Sequence, residues 1–473
     1  MQASSRRAFL RQTIAAGAFG SAAFALSRAL PLAAQSSPPV LDDNAARTRD
    51  WLASRRVVTR RNVADLSAAE LTLLRDGIRI LRERSAANPL DPRGWYAYAQ
   101  LHSAFCGTNT YEDQVHYGWF FLPWHRGYLI ALEQLLQETV AEPQLALPYW
   151  DWTTSPQIPV AYAGGPDNPL SDPTRIMQPA DIIPWDLLAV GPVLRAPTWN
   201  SFGGHPRVDP AAPQIEGCME QGCHNNTHNW MGGNIASFSG AGYDPIFHTH
   251  HGQIDRLWAA WRTADPSNHP NPSDPRLLEK RFFFYGPDGH PFVIRVGDLL
   301  DPEACGYRFD SLAFNLNVRA LPAYRDSAEK VRDDFVPAGE VVRTPVTFGD
   351  STRKELLAAL GAPRARVILQ FDRKQLPIHP YCVRIYLRAP GEPAPSGPAD
   401  PRFVGTYTYL PIPGLELGLD RHCVTQLEVT DKHAALLRSG SPLVATLVPV
   451  QLRDRVIPPQ SLEFRNASLR IDA

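Results

Sequence analysis

Residues 243–261 read Tyr-Asp-Pro-Ile-Phe-His-Thr-His-His-Gly-Gln-Ile-Asp-Arg-Leu-Trp-Ala-Ala-Trp, and the periodicity of this stretch decides how the chain is built. Asp244 before Pro245 is a favourable helix start, since Asp accepts from free N–H groups and Pro suits the first turn. Beyond it Phe247, His251, Ile254, Asp255 and Trp258 recur at three- and four-residue spacing, so they share one helical face. A histidine on that face, among large apolar residues, is buried. Alone, it would read as a hydrogen-bonded core residue.

It has company. His224 and His228 lie one helical turn apart in His-Asn-Asn-Thr-His-Asn-Trp-Met-Gly-Gly, which aims two imidazoles at one point. A second triple, His102, His116 and His125, lies upstream, its last member inside Trp-Phe-Phe-Leu-Pro-Trp-His-Arg-Gly-Tyr-Leu-Ile-Ala-Leu-Glu at 119–133. Three imidazoles around one open position suit copper, zinc, nickel or iron. Two such sets on aromatic-rich helical segments predict helix pairs that bring six histidines together, a mainly α domain in which a four-helix bundle holds the metals.

Phe-Leu-Pro-Trp-His-Arg-Gly-Tyr-Leu and Asp-Pro-Ile-Phe-His-Thr-His-His-Gly-Gln-Ile-Asp-Arg-Leu-Trp resemble the two copper signatures of the tyrosinase and catechol oxidase (polyphenol oxidase) family. The resemblance implies a type-3 pair of copper ions with dioxygen as co-substrate. His102, His116 and His125 would hold the first ion, and His224, His228 and His251 the second. Of the adjacent pair, His251 occupies the ligand position, seven residues after Asp244 and one turn before Asp255; His250 would stand behind it or face substrate. His248 occupies a usually apolar position and has no assigned role.

The same resemblance implies further roles. Cys106 would form a thioether to His116, as in plant-type and fungal members. Glu220 and Asn225 would hold the water that deprotonates a monophenol, with Glu216 the alternative carboxylate. Phe238 matches the position of a bulky gate over the second copper. Without the family, a capping or surface role for Glu220 and Asn225 and a core role for Phe238 are the plain alternatives.

The rest of the chain is consistent with an exported two-part protein. Residues 1–34 carry Arg6-Arg7-Ala-Phe-Leu followed by an Ala/Gly-rich apolar run, similar to a bacterial twin-arginine export signal and implying a periplasmic or secreted protein. No later segment approaches eighteen consecutive apolar residues. A formal net charge of −1 offers no basic field for nucleic acid. About 440 residues remain after the signal, enough for two or three domains. The expected division is a dicopper domain at 35–310 with a β-hairpin segment at 277–310, a linker at 311–340, and an all-β, sandwich-like domain at 341–473. Ser67-Ala-Ala-Glu70 is a capping box opening an amphipathic helix. Pro- and Gly-rich residues 155–213 read as long loops. After 340, six or more short alternating strands separated by turns predict the β domain, which resembles the part that covers the active site in latent plant enzymes. Six cysteines leave pairing unreadable, with Cys218 and Cys223 flanking the approach to His224 and Cys382 able to staple Cys423.

The resemblance implies oxidation of o-diphenols, with or without hydroxylation of monophenols, on small phenolic substrates. The competing class is a hemocyanin-like dioxygen binder with the same metal pair and no substrate turnover. A zinc hydrolase is remote, since such sites mix histidine with carboxylate ligands.

Overall fold

The computed structural model describes residues 48, 51–52, 54–106, 115–207, 209, 212–265, 267, 269–326, 335–337, 340–362, 365–373, 381–410, 423–452 and 464–472. The export signal expected at 1–34 lies outside them. The capping box forms as read: Ser67 accepts from the Glu70 N–H and Glu70 reaches back to the Ser67 N–H, opening α1 (Ala68–Ala87). Its buried positions Leu74, Ile78 and Leu81 lie on one face. Helix α2 (Trp95–Cys106) carries His102. Helix α3 (Phe121–Thr139) carries His125 and starts two residues before Pro123, which sits in the first turn where its missing N–H costs nothing.

A short helix α4 (Asn225–Met231) carries His228, and α5 (Ile246–Ala264) carries His248, His250 and His251. From Ile246 to Trp261 every residue of α5 is buried, and α3 is buried nearly all round. Helices without a polar face must form the centre of the core. Their charged residues must then be paired. Arg60 bridges Glu133 on α3 (2.9 Å) and Asp255 on α5 (3.0 Å), while Arg126 on α3 reaches Asp255 at 2.7 Å. Tyr307 donates to the same Asp255. Burial alone would raise Glu133, but Arg60 and Arg55 outweigh it and hold its carboxyl below the usual range. Arg60 lies on β1 (Val58–Arg60) and Tyr307 on β5 (Tyr307–Phe309), which pair in parallel, so the network ties this two-strand ribbon onto the two central helices.

The expected hairpin is β3 (Arg281–Tyr285) against β4 (Pro291–Arg295). The described residues of 155–213 hold short helical turns between loops and an isolated bridge of Gln157 to Ile182. The segment read as a linker is docked at its start: Arg256 donates to the carbonyls of Ser311 and Ala313, and Tyr324 to that of Ile183.

The C-terminal strands are β6 (Phe335–Pro337), β7 (Val342–Thr347), β8 (Arg366–Arg373), β9 (Tyr381–Arg388), β10 (Phe403–Tyr409), β11 (Cys423–Val429), β12 (Leu443–Leu452) and β13 (Phe464–Asp472). They form a single sheet in the order β10-β9-β12-β7-β13-β8-β11-β2, with β6 beside β12, rather than two separately paired layers. The sheet curls enough that a Cβ on Gly405 of β10 would come within 3.2 Å of Leu427 on β11. Helix α6 (Arg353–Leu360) packs on it behind a second capping box, Thr352 with Glu355. The last strand in the order, β2 (Gln214–Ile215), comes from the helical part and pairs in parallel with Cys423 and Val424. Cys382 is a free thiol bonded to Thr408 and Asn229, which corrects the expected staple to Cys423; the two cysteines lie on β9 and β11, which are not neighbours.

Candidate metal centre

The helical core presents its histidines in two adjoining groups. In the first, the ligand atoms of His102, His116, His125 and Cys106 lie within 4.8 Å of one another. His102 Nδ1–H donates to the Phe238 carbonyl (3.0 Å) and His125 Nδ1–H to that of Phe121 (2.8 Å). His116 Nδ1 lies 2.7 Å from Glu220 Oε1, on a carboxyl that also accepts the Tyr117 N–H. In the second group His224 Nδ1–H donates to Asn225 Oδ1 (2.9 Å) and His228 Nδ1–H to the Ile235 carbonyl.

The bonds to carbonyl and amide oxygens fix the tautomers of His102, His125, His224 and His228. With the proton on Nδ1, each Nε2 is a bare lone pair, the arrangement by which an outer partner orients a metal-binding imidazole. Nε2 of His102, His116, His125 and His228 is buried and has no protein partner. Leaving such atoms unpaired costs about 1–3 kcal/mol each, a cost that a bound metal ion removes. Burial, before any neighbouring charge, pushes His125 down to about 3 and His228 to about 4, and holds His102, His116 and His224 well below the ordinary imidazole range. The rings are therefore neutral at physiological pH, as a ligand must be.

The third member of the second group departs from expectation. It is His250, not His251, whose ligand atom lies within 4.8 Å of those of His224 and His228. The His250 ring is buried beside the His224 backbone carbonyl. His251 is nevertheless at the site: its Nε2 is 3.2 Å from His224 Nε2, and its ring stacks on that of His125 at 4.1 Å, between the two groups. Consecutive helical residues point about 100° apart, and here both directions meet the cluster. His248 is buried between Trp95 and Tyr128, its ring beside the Pro245 carbonyl.

The two residues expected to hold water engage different partners. Asn225 donates to Glu216 (3.0 Å), whereas Glu220 is spent on His116 and the Tyr117 backbone. Glu220 lies in a π-helical turn (Glu220–His224) broken at Gly222, whose φ of −90° and ψ of −115° are not helical. The four-residue count back from His224 therefore does not place Glu220 on the face of His224. Burial, then the neighbouring Glu216, raises the Glu220 carboxyl well above its usual range. Sequence reading missed this role for Glu220 as a partner of His116.

Phe238 lies beside the first group. Its ring faces His116 of the first group at 4.3 Å and its carbonyl holds His102. The connector folds back because Gly232 and Gly233 take φ of +66° and +69°, and a Cβ on Gly233 would lie 2.2 Å from the Thr174 carbonyl oxygen.

The C-terminal sheet closes over this region. Asn225 also reaches the Thr408 carbonyl (3.4 Å), the Thr408 hydroxyl donates to Asn226, and the Tyr117 hydroxyl donates to the Leu410 carbonyl. Cys106, at the end of α2, is buried, and burial pushes its thiol well above the ordinary range.

Two abutting sets of buried imidazoles in a helical core are a donor set for two metal ions. Residues 92–183 and 186–264 match the common central domain of tyrosinase, and residues 271–319 the polyphenol oxidase middle domain. These segments of the chain are similar to the tyrosinase and polyphenol oxidase family. It is 30% identical to a chloroplastic polyphenol oxidase of Vitis vinifera over 262 residues, which are 47% of this chain and 42% of that one. It is 28% identical to polyphenol oxidase II of Ipomoea batatas over 385 residues, 71% of this chain and 64% of that one. The chain thus spans from under half to under two thirds of the length of these curated relatives. In fold it is similar to latent apple tyrosinase, with a TM-score of 0.69 and 21% identity, covering 88% of this chain and 98% of that one.

Proposed function

We propose that the protein is a type-3 copper oxidase that uses dioxygen to oxidise o-diphenols to o-quinones, and that it also hydroxylates monophenols. One observation carries this reading: two touching groups of buried imidazoles, in which oxygen atoms hold Nδ1 of His102, His116, His125, His224 and His228 while Nε2 of His102, His116, His125 and His228 is left bare. An all-histidine donor set suits copper better than a hydrolytic zinc ion, which draws a mixed set. Two copper ions, when bound, supply dioxygen with two electrons, one from each ion.

His102, His116 and His125 are the ligands we assign to the first ion, and His224, His228 and His251 to the second. His251 is preferred to His250 because two nitrogens on one tetrahedral metal, each at about 2.0–2.1 Å, stand roughly 3.3 Å apart, close to the 3.2 Å between His224 and His251. The sulfur of Cys106, within 4.8 Å of the His116 ligand atom, supports a thioether between them, formed with loss of two hydrogens and their electrons to dioxygen. The four histidine-bearing helices support a four-helix bundle around the centre.

Glu216, joined through Asn225 to His224, is the carboxylate we assign to take the phenol proton. Glu220 instead orients His116. Phe238 limits the space above His116. The contacts of Thr408 and Leu410 support a C-terminal domain that shields the site and keeps the enzyme latent. Arg6-Arg7 and the apolar run after them support export by the twin-arginine route, and phenolic molecules are the partners proposed.

The test is to load the full chain with copper and follow quinone absorbance with 4-tert-butylcatechol and with tyramine, before and after limited proteolysis. Quinone from the catechol is expected, and more after cleavage. An oxygenated copper band without quinone in either state would mean dioxygen carriage instead. Glu216→Gln is expected to lower tyramine turnover by about 100-fold or more, typical of a lost proton acceptor, while sparing catechol turnover. Equal loss on both substrates at full copper content would remove Glu216 from this role.

A further inference from the structure

Beside the segment that leads into His224, with no histidine in its lining, lies a cavity of about 230 Å³ between the helical part and the C-terminal sheet. Its floor includes Gln221, Gly222 and Cys223, the residues immediately before His224, and its roof includes Phe403 and Val404 of β10 and Leu427 of β11. A Cβ on Gly222 would meet nothing within 4 Å, so the backbone there is bare to open space.

The polar side chains around the cavity are engaged with one another. Asp186 accepts from Thr406 (2.8 Å) and pairs with Arg384 (3.7 Å). Glu428 pairs with Arg195 (3.1 Å) and Arg366 (3.8 Å), and Gln221 accepts from the Gln426 N–H (3.0 Å). What they leave facing inward is mostly carbon, including Trp185, Val193 and Phe403. Cavities of roughly 150 Å³ with such walls hold benzene, so this one accommodates one or two aromatic rings. At its mouth Ala189 and Lys432 are exposed, and the Lys432 ammonium lies 5.4 Å from the Phe403 ring. An apolar slot with a few convergent polar groups at a domain seam is the usual form of a small-molecule site.

We infer that this seam cavity binds a flat aromatic acid of one or two rings, its rings between Trp185 and Phe403 and its carboxylate toward Lys432. The occupant touches both the segment that carries His224 and the strand whose Thr408 covers Asn225, so it clasps the C-terminal sheet to the metal-bearing part. The site is separate from the histidine cluster and does not depend on which metal fills it.

The test is a titration of the full chain with 2-naphthoate, copper-loaded and copper-free, read by ligand fluorescence and equilibrium dialysis. One saturable site per chain is expected in both states, with a rise in melting temperature. Val404→Trp, which fills the slot, and Ala189→Trp, which narrows its mouth without touching the core, are each expected to abolish binding. Lys432→Gln is expected to weaken it roughly three- to fivefold, the scale of one exposed charge pair. If Val404→Trp does not fold, judged by circular dichroism, Ala189→Trp decides. Absence of saturation, wild-type binding by the folded tryptophan variants, or loss of binding when copper is removed would overturn the site. Unchanged affinity in Lys432→Gln would overturn the assignment of an acid.

Discussion

His250 and His251 are neighbours in sequence, and both are pressed against His224, from different sides. Helical spacing put a histidine at this point but could not choose between two adjacent ones, because both directions lead into the same cluster. The assignment of His251 rests on its 3.2 Å approach to His224 and its stacking on His125. His251→Ala is expected to lower bound copper to about one ion per chain, since three protein ligands are the minimum for such a site, whereas His250→Ala retains both ions. Metal analysis of the two purified variants checks this, and the opposite pattern would reverse the assignment. Glu216 and Glu220 show the same limit of a one-dimensional reading. Their order along the chain was visible, but the turn that rotates one of them onto His116 was not.

That turn is an element-scale event. A π-helical segment changes the number of residues per turn, and the break at Gly222 changes direction as well, so counting by four fails there while it succeeds in α1, α3 and α5. The long helices were legible because a buried face repeats every three to four residues, and α1 even announces its first residue through Ser67 and Glu70. The C-terminal strands β7 to β12 were legible from alternation and turn residues. The short ribbon of β1 and β5 was not, because its three-residue strands lie 249 positions apart and nothing local marks the pairing. Its role appears only through Asp255, where the charges of Arg60 and Arg126 and the Tyr307 hydroxyl converge. Asp255→Asn leaves two buried guanidinium groups short of a partner and is expected to destabilise the metal-free protein by about 3–5 kcal/mol. Tyr307→Phe removes one hydrogen bond and is expected to cost about 1–2 kcal/mol. Urea unfolding of both variants measures the difference, and equal losses would mean that charge pairing is not what Asp255 contributes.

At the scale of the whole molecule, the histidine cluster makes the metal-free protein sensitive to acid. Burial lowers His125 to about 3 and His228 to about 4, and lowers His102, His116, His224, His250 and His251 as well. In the unfolded chain these rings titrate near 6.5. Between about pH 6.5 and 4 the unfolded state therefore binds protons that the folded state refuses, and stability falls as pH falls through that window. Glu220, raised by burial, acts in the opposite sense, favouring the folded state while it is protonated and losing that contribution as pH rises, but it is one group against seven. The urea midpoint of the metal-free chain is expected to drop steadily from pH 7 to pH 4.5, and a flat profile would show that the cluster accepts protons without unfolding. The division into a helical part and a β part was legible from composition and periodicity, but their interlock was not, since it rests on the two-residue strand Gln214–Ile215 and on single long-range bonds such as that of Tyr117 to Leu410. Because that strand is sewn beside Cys423 and Val424 and leads directly into Glu216, cutting away the C-terminal part does more than uncover the site. It leaves a raw strand edge next to the histidine cluster, an adhesive seam at which a second cleaved molecule adds its own strand, so that uncovering the site and making the protein prone to self-association become one event.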